Sequence, residues 1–152
     1  MVMAVLAAVI HRQQTGEGQY IDLSMTDAVF SMHALSGAEW LSGGEEPEAE
    51  SGMLNGGTLY DYYETRDGRW ISVGSLEPVF LKRLCLEMDL QEFEGIPLDD
   101  VKSQKRFKSK LRKAFKTRSF QEWIEIFQKI DACVEPVLKP SEAANHPQLR
   151  ER

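Results

Sequence analysis

The sequence predicts an α/β fold of the α+β kind, with helices packed on a small, mostly antiparallel sheet and a helix–strand–helix stretch in front. Three observations predict it. Residues 60–80, YDYYETRDGRWISVGSLEPVF, read as two strands joined by a tight turn at Arg66-Asp67-Gly68. From Pro78 onward, apolar residues recur at three- and four-residue steps, the period of a helix with one buried face. Before residue 45, an apolar run, a short alternating stretch and a helix-start signal follow one another.

The first ten residues, MVMAVLAAVI, are apolar throughout, and the helix they begin reaches about Arg12, with Gly16 as its stop. The run falls short of the roughly 20 residues that a membrane span needs. It lacks the basic leader and cleavage site of a signal peptide. A helix apolar on every side is normally buried in a large core, and no capping residue precedes this one. The expectation is a chain that begins inside a helix whose packing partners are missing or supplied by another chain. The other reading is an ordinary N-terminal core helix.

Residues 19–23 alternate enough for a short strand. Ser24 and Asp27 then form a capping box. The helix they open carries Met25, Val29 and Met32 on one face and runs towards Trp40, ending at Gly43-Gly44. That Met-bearing face is expected in the core, although thioethers also suit a surface that adapts to acyl chains. Residues 45–52 are acidic and read as an exposed connection. Asn55-Gly56-Gly57 is a turn where backbone could approach a ligand closely, without the lysine of a phosphate loop or the spacing of a dinucleotide fingerprint.

Phe80, Leu81, Leu84, Cys85 and Met88 mark the helix after Pro78. Residues 90–101 are a loop broken by Gly95 and Pro97, and Phe107, Leu111 and Phe115 mark the next helix. Ser119 and Glu122 form a second capping box, and Phe120, Trp123, Ile124, Phe127 and Ile130 line the helix behind it. Residues 134–138 are an edge strand or extended connector, because Pro136 cannot donate to a ladder. One short helix starts at Pro140-Ser141 and breaks at His146-Pro147.

Composition narrows the function classes. A net charge of −6 gives no overall attraction to nucleic acid or an anionic membrane. Residues 102–118 hold nine of the 18 Lys and Arg residues, but they surround an amphipathic helix without a nucleic-acid motif or interleaved aromatics. They read as a solvated face, with a weaker possibility of attracting an anionic nucleotide-bearing thiol. Cys85 and Cys133 have no metal-ligand spacing and read as buried thiols, which fits a reducing, cytoplasmic setting. The three histidines form no cluster, so no metal site is predicted.

Glu77 is the candidate for chemistry. It stands where the second strand gives way to a helix that Pro78 begins. A carboxylate held between two rigid elements is a common placement for a proton-moving base. The competing reading is a Glu that only stabilises the positive end of the helix dipole.

Several runs together resemble one family. Residues 15–24, TGEGQYIDLS, with Asp27-Ala28, resemble the end of the large domain in family III CoA-transferases. That family includes carnitine CoA-transferases and α-methylacyl-CoA racemases. Residues 63–74, YETRDGRWISVG, resemble the entry into its small domain. Residues 76–80, LEPVF, and 131–138, DACVEPVL, are similar to the racemase branch. Glu142-Ala143 and His146-Pro147 resemble the segment leaving the small domain.

The resemblance implies a chain that is an internal piece of a larger α/β protein. Residues 1–44 would end the large-domain segment, 45–58 would be a linker, 59–138 the small α/β domain, and 139–152 the return. It implies an interlocked homodimer, no tightly bound cofactor, and coenzyme A present as the thioester substrate. Glu77 would be the small domain's acid/base glutamate. Leu76 would touch the acyl chain, Tyr60 would line the acyl pocket, and Gly56 and Gly57 would lie near the active site. The family's catalytic aspartate lies upstream of the first helix, and residues 1–14 hold no carboxylate to replace it. The expected activity is therefore that of the parent: α-proton abstraction and return on a 2-methylacyl-CoA, or CoA transfer between carboxylic acids. For the chain alone, the alternative is a non-catalytic binding or dimerisation module.

Overall fold

The computed structural model describes residues 1–34 and 36–152. The chain divides into two compact units, Met1–Pro47 and Glu48–Arg152.

The first unit is helical. Helix α1 (Val2–Thr15) ends at Gly16, whose φ of 78° lets its N–H reach the Arg12 carbonyl at 2.8 Å. Helix α2 (Met25–Ser31) is capped by Ser24, whose hydroxyl accepts from the Asp27 N–H at 3.2 Å. Two sequence expectations are corrected here. Residues 19–23 form no strand: among the described residues every strand lies between Asp61 and Pro136. A strand needs a neighbour to take its N–H and C=O groups, and an alternating pattern cannot supply one. The helix predicted to run on towards Trp40 is two helices, α2 and α3 (Ser36–Leu41). The Ser31 hydroxyl turns back to the Ala28 carbonyl at 2.7 Å, and the Met32 N–H takes the Val29 carbonyl at 3.0 Å, so the α ladder closes there. The Gly43-Gly44 stop is a Schellman motif, with Gly43 N–H on Trp40 and Gly44 N–H on Glu39, both at 3.0 Å.

The reading of the first helix as an ordinary core helix, and the expected burial of the Met-bearing face, are also corrected. No residue described in α1, α2 or α3 is buried, and Met25 and Met32 are 84% and 82% exposed. Burial needs a second layer, and three short helices within one small unit do not make one. An exposed apolar stripe of this kind drives association. The chain is expected to self-associate at micromolar concentration; a stable monomer in sedimentation at that concentration refutes this.

The second unit carries the predicted architecture. Strands β1 (Asp61–Glu64), β2 (Trp70–Val73) and β3 (Val134–Pro136) pair antiparallel in the order β1-β2-β3. The β1–β2 turn closes with Thr65 N–H on the Arg69 carbonyl at 2.8 Å, and Gly68 supplies its positive φ. Alternation puts Tyr63, Ile71 and Val73 inside while Tyr62 and Trp70 face out. Against the inner face pack α4 (Pro78–Glu87), α5 (Val101–Phe115) and α6 (Phe120–Phe127). Phe115 is the aromatic hub, with ring centroids 5.2 Å from Tyr63 and 5.1 Å from Trp123.

The Lys and Arg residues of 102–118 are exposed, as the solvated-face reading expects, except Lys108. Gln104, Lys108, Leu111 and Phe115 recur at helical spacing and form its buried side. Lys108 pairs with Asp61 at 2.8 Å and donates to the Gly56 carbonyl. Gln104 accepts from the Leu59 N–H at 3.1 Å and donates to the Pro97 carbonyl at 3.2 Å. Each buried polar group is thus answered, which burial demands. Arg112, Lys116 and Arg118 reach Asp61, Glu64 and Glu87.

Helix α6 opens on the predicted capping box: Ser119 Oγ accepts from Glu122 N–H, and Glu122 accepts from Ser119 N–H at 2.7 Å. Ser119→Ala is expected to cost about 1 kcal/mol in a denaturant melt. The single final helix predicted from Pro140 is two, α7 (Pro140–Ala143) and α8 (Pro147–Glu151). Pro147 starts a helix rather than ending the structure, because its missing N–H costs nothing at a first turn. Among the described residues no helix is long and apolar enough to cross a membrane.

Candidate active site

The β2–α4 junction is fixed by bonds to the residues that lead into β3. Gly74 N–H donates to the Cys133 carbonyl at 2.8 Å, and the buried Ser75 hydroxyl donates to the Ala132 carbonyl at 2.5 Å. Leu76 N–H closes a three-residue turn onto the Gly74 carbonyl at 2.8 Å. Glu77 follows as the extended N-cap of α4, φ −70° and ψ 141°. Its carbonyl accepts from Phe80 and Leu81 at 3.0 and 2.9 Å. Its carboxylate is exposed, caps nothing, and has no hydrogen-bond or ion-pair partner among the described residues. The backbone at position 77 is held and the side chain is free. A hydrogen-bonded cap is therefore not its role, although its charge still suits a helix start.

Beside it stands a residue the sequence reading placed in the core. Cys133 is exposed, which corrects the expectation of two buried thiols. Its backbone is left-handed, with φ 54°. A side chain at Gly74 would lie 3.1 Å from the Cys133 Sγ and 3.3 Å from the Tyr60 Cε2. Thiol and ring thus both approach the bare backbone of Gly74. Burial, and then the charges of Glu77, Asp131 and Glu135, hold the Cys133 thiol above the ordinary thiol range. Cys85 is fully buried; burial first, then Glu94 and Glu92, push its thiol up to about 11.

The other sequence-predicted residues are distributed around this point. Tyr60 and Gly56 line a hollow of about 280 Å³ with Glu50, Asn55, Asp61 and Ser72. Leu76 lines a separate groove of about 620 Å³ with Leu81, Ile96 and Leu98, rimmed by Lys82 and Glu94. Glu77 and Gly57 line neither. Tyr60 and Glu77 share no hollow, and the structure does not bring them into contact. Gly57 is glycine for packing: a Cβ there would fall 2.0 Å from the Ser51 carbonyl. The Gly56 carbonyl is taken by Lys108.

Asp61 forms one wall of the Tyr60 hollow. Burial acts to raise its carboxyl, but the Lys108 hydrogen bond, the Tyr62 N–H and the charges of Lys108 and Arg112 together hold it below the usual carboxylate range. Folding therefore disfavours its protonation. The stabilisation is present above the ordinary value of about 4 and drains as pH falls through the lower folded value. Asp61→Asn is expected to flatten the dependence of melting temperature on pH below about pH 4; an unchanged slope refutes this.

Sequence reasoning named Cys133 only as a buried thiol, and left Gly74 and Lys108 inside longer runs. Lys108 could have been found from its spacing to Gln104, Leu111 and Phe115. No local signal marks the exposure of Cys133 beside Gly74, because its place depends on β2 pairing with β3.

The family profile of "CoA-transferase family III" matches residues 1–152, the whole chain. The chain belongs to CoA-transferase family III. Human "Alpha-methylacyl-CoA racemase" is 31% identical over 154 residues, covering 99% of this chain and 40% of the racemase. "Acetyl-CoA:oxalate CoA-transferase" of Acetobacter aceti is 27% identical over 159 residues, covering 100% of the chain and 40% of the transferase. A "CAIB/BAIF family protein from Brucella suis" shares the fold at a TM-score of 0.79 and 19% identity, over 99% of this chain and 41% of that one. This family III chain thus spans about 40% of the length of the curated relatives it matches.

Proposed function

We propose that this family III chain carries one of the two proton carriers of an acyl-CoA racemase-type site, with Glu77 in that role. The reading rests on one observation: Glu77 has a rigidly placed backbone and a carboxylate that nothing among the described residues engages. A CoA thioester acidifies its α-proton because the carbonyl can accept charge as an enolate. Inversion at that carbon needs a base on one face and a donor on the other, each within hydrogen-bond reach. Glu77 would serve one face of a 2-methylacyl-CoA, with Leu76 and Tyr60 beside the acyl group and Gly56 and Gly57 at the margin. Coenzyme A enters and leaves as part of the substrate.

On this reading residues 1–44 end a large domain, 59–138 form the small domain, and the working unit is an interlocked homodimer in a reducing, cytoplasmic setting. The two free thiols, Cys85 and Cys133, fit that setting. The second carboxylate is not among residues 1–14. The transferase relative favours a second reading, CoA transfer between carboxylic acids, in which a carboxylate attacks the thioester. Glu77 is then a neighbour of the acyl group rather than a proton carrier.

The experiment is α-proton exchange from a 2-methylacyl-CoA into heavy water. The chain alone is expected to exchange none. Grafted in place of the matching segment of the racemase relative, it is expected to support exchange that depends on Glu77. Exchange by the graft that ignores substitution at Glu77 refutes the acid/base role.

A further inference from the structure

We propose that the groove between the start of α4 and the loop 94–98 holds the apolar tail of the acyl group, so that the site selects a thioester with a long hydrocarbon chain over a short dicarboxylic one. The proposal rests on the reading of Glu77 as the site's proton carrier and names the substrate class of that site. It gives a role to a loop that no motif identified.

Continuity is the first argument. Leu76 and Pro78, the residues on either side of Glu77, both line this groove, together with Leu81, Ile96, Pro97 and Leu98. An α-carbon presented to the Glu77 carboxylate therefore has the groove one residue away. The Tyr60 hollow is the other space near this junction. Its walls include Glu50, Asn55, Asp61 and Ser72, polar groups that a hydrocarbon would strip of water.

Lining is the second argument. At about 620 Å³ the groove falls within the range of small-molecule sites, roughly 300–1,000 Å³. Leu81 is buried in it, and half-buried Leu76 and Ile96 pack against the core beside it. Its two charged lining residues, Lys82 and Glu94, are exposed and of opposite sign. They offer the second carboxylate of a dicarboxylic acyl group no net attraction, whereas the apolar lining gains by shedding water onto a hydrocarbon tail.

Rigidity is the third. Leu76 is set by its turn onto the Gly74 carbonyl. On the loop side, the Pro97 carbonyl accepts from the Asp100 N–H at 3.3 Å and from the buried Gln104 amide at 3.2 Å. Gln104 in turn accepts from the Leu59 N–H at 3.1 Å, so the loop is tied through α5 to the approach to β1. Pro78 and Pro97 restrict the backbone on each side. Both sides hold their shape without a ligand, which lowers the ordering cost of filling the groove.

The test is binding of dodecanoyl-CoA to the 152-residue chain, followed by NMR of the Leu and Ile methyl groups, with succinyl-CoA as the dicarboxylic comparison. Dodecanoyl-CoA is expected to shift the methyls of Leu76, Leu81, Ile96 and Leu98 saturably, with an affinity roughly tenfold or more above that of succinyl-CoA. Leu98→Glu changes an exposed position and spares the core. It is expected to weaken binding roughly tenfold or more by setting a charge beside the tail, and Leu98→Ala to weaken it less. Unmoved groove methyls, equal binding of succinyl-CoA, or wild-type affinity in Leu98→Glu overturns the proposal. So do shifts confined to α1, α2 and α3, whose exposed apolar residues can adsorb a tail without a site. In the racemase graft, Leu98→Glu is expected to raise KM for 2-methyldodecanoyl-CoA while kcat holds, whereas Glu77→Gln lowers kcat. Binding is read without turnover, so a failure here is separable from a failure of the acid/base reading of Glu77.

Discussion

Glu77→Gln is expected to lower α-proton exchange in the racemase graft by roughly 10²–10⁴-fold, the range for losing a positioned general acid or base. It is expected to leave the melting temperature nearly unchanged. The two halves of that result have different causes. The carboxylate is exposed and bonded to nothing among the described residues, so replacing it with an amide of the same shape removes no native contact. The backbone that positions it is held by Gly74, Ser75 and Leu76, none of which the substitution touches. An amide cannot carry the proton, so the loss falls on the chemical step: kcat drops while KM holds. If Glu77 were only a charge at the helix start, the order would reverse, with a small loss of stability and full exchange. Parallel thermal melts and exchange rates on the graft separate the two.

Phe115→Ala is expected to cost about 3–5 kcal/mol, the range for truncating a buried aromatic. Small domains hold only about 5–15 kcal/mol in total, so the second unit should be close to unfolded. The reason lies in what Phe115 joins. Its ring meets Tyr63 of β1 and Trp123 of α6, and its carbonyl accepts from the Trp123 Nε1 at 2.9 Å. Sheet and two helices therefore share one side chain, and a cavity there cannot be filled by one neighbour relaxing. Phe115→Leu keeps most of the volume and is expected to cost roughly 1 kcal/mol. Urea titration of both variants reads the difference; equal midpoints would show that the hub is not where the core is joined.

Periodic and local features were legible in the sequence because their causes are local. The β1–β2 hairpin follows from alternation around Arg66-Asp67-Gly68, and α4 from Pro78 with apolar residues at helical steps. The capping box at Ser119 and the stop at Gly43-Gly44 need only neighbouring residues. Residues 19–23 misled because alternation names a face and not a partner. The helix towards Trp40 misled because periodicity continues through a point where Ser31 bonds back to its own turn. Lys108 misled because charge was read before spacing; its place on the stripe with Gln104 and Leu111 makes it an interior group answered by Asp61.

By itself, the sequence determined the α+β character of the second unit, its helix starts and stops, and Glu77 as the residue where strand becomes helix. Each depends on neighbours a few positions away. Tertiary structure alone decided that Cys133 is exposed and set beside Gly74, that Lys108 is interior, and that Tyr60 and Leu76 line different hollows. The first two of these rest on hydrogen bonds between residues 57 and 52 positions apart. Distance along the chain carries no information about such closure until the hydrogen bonds of β2 with β3 set it.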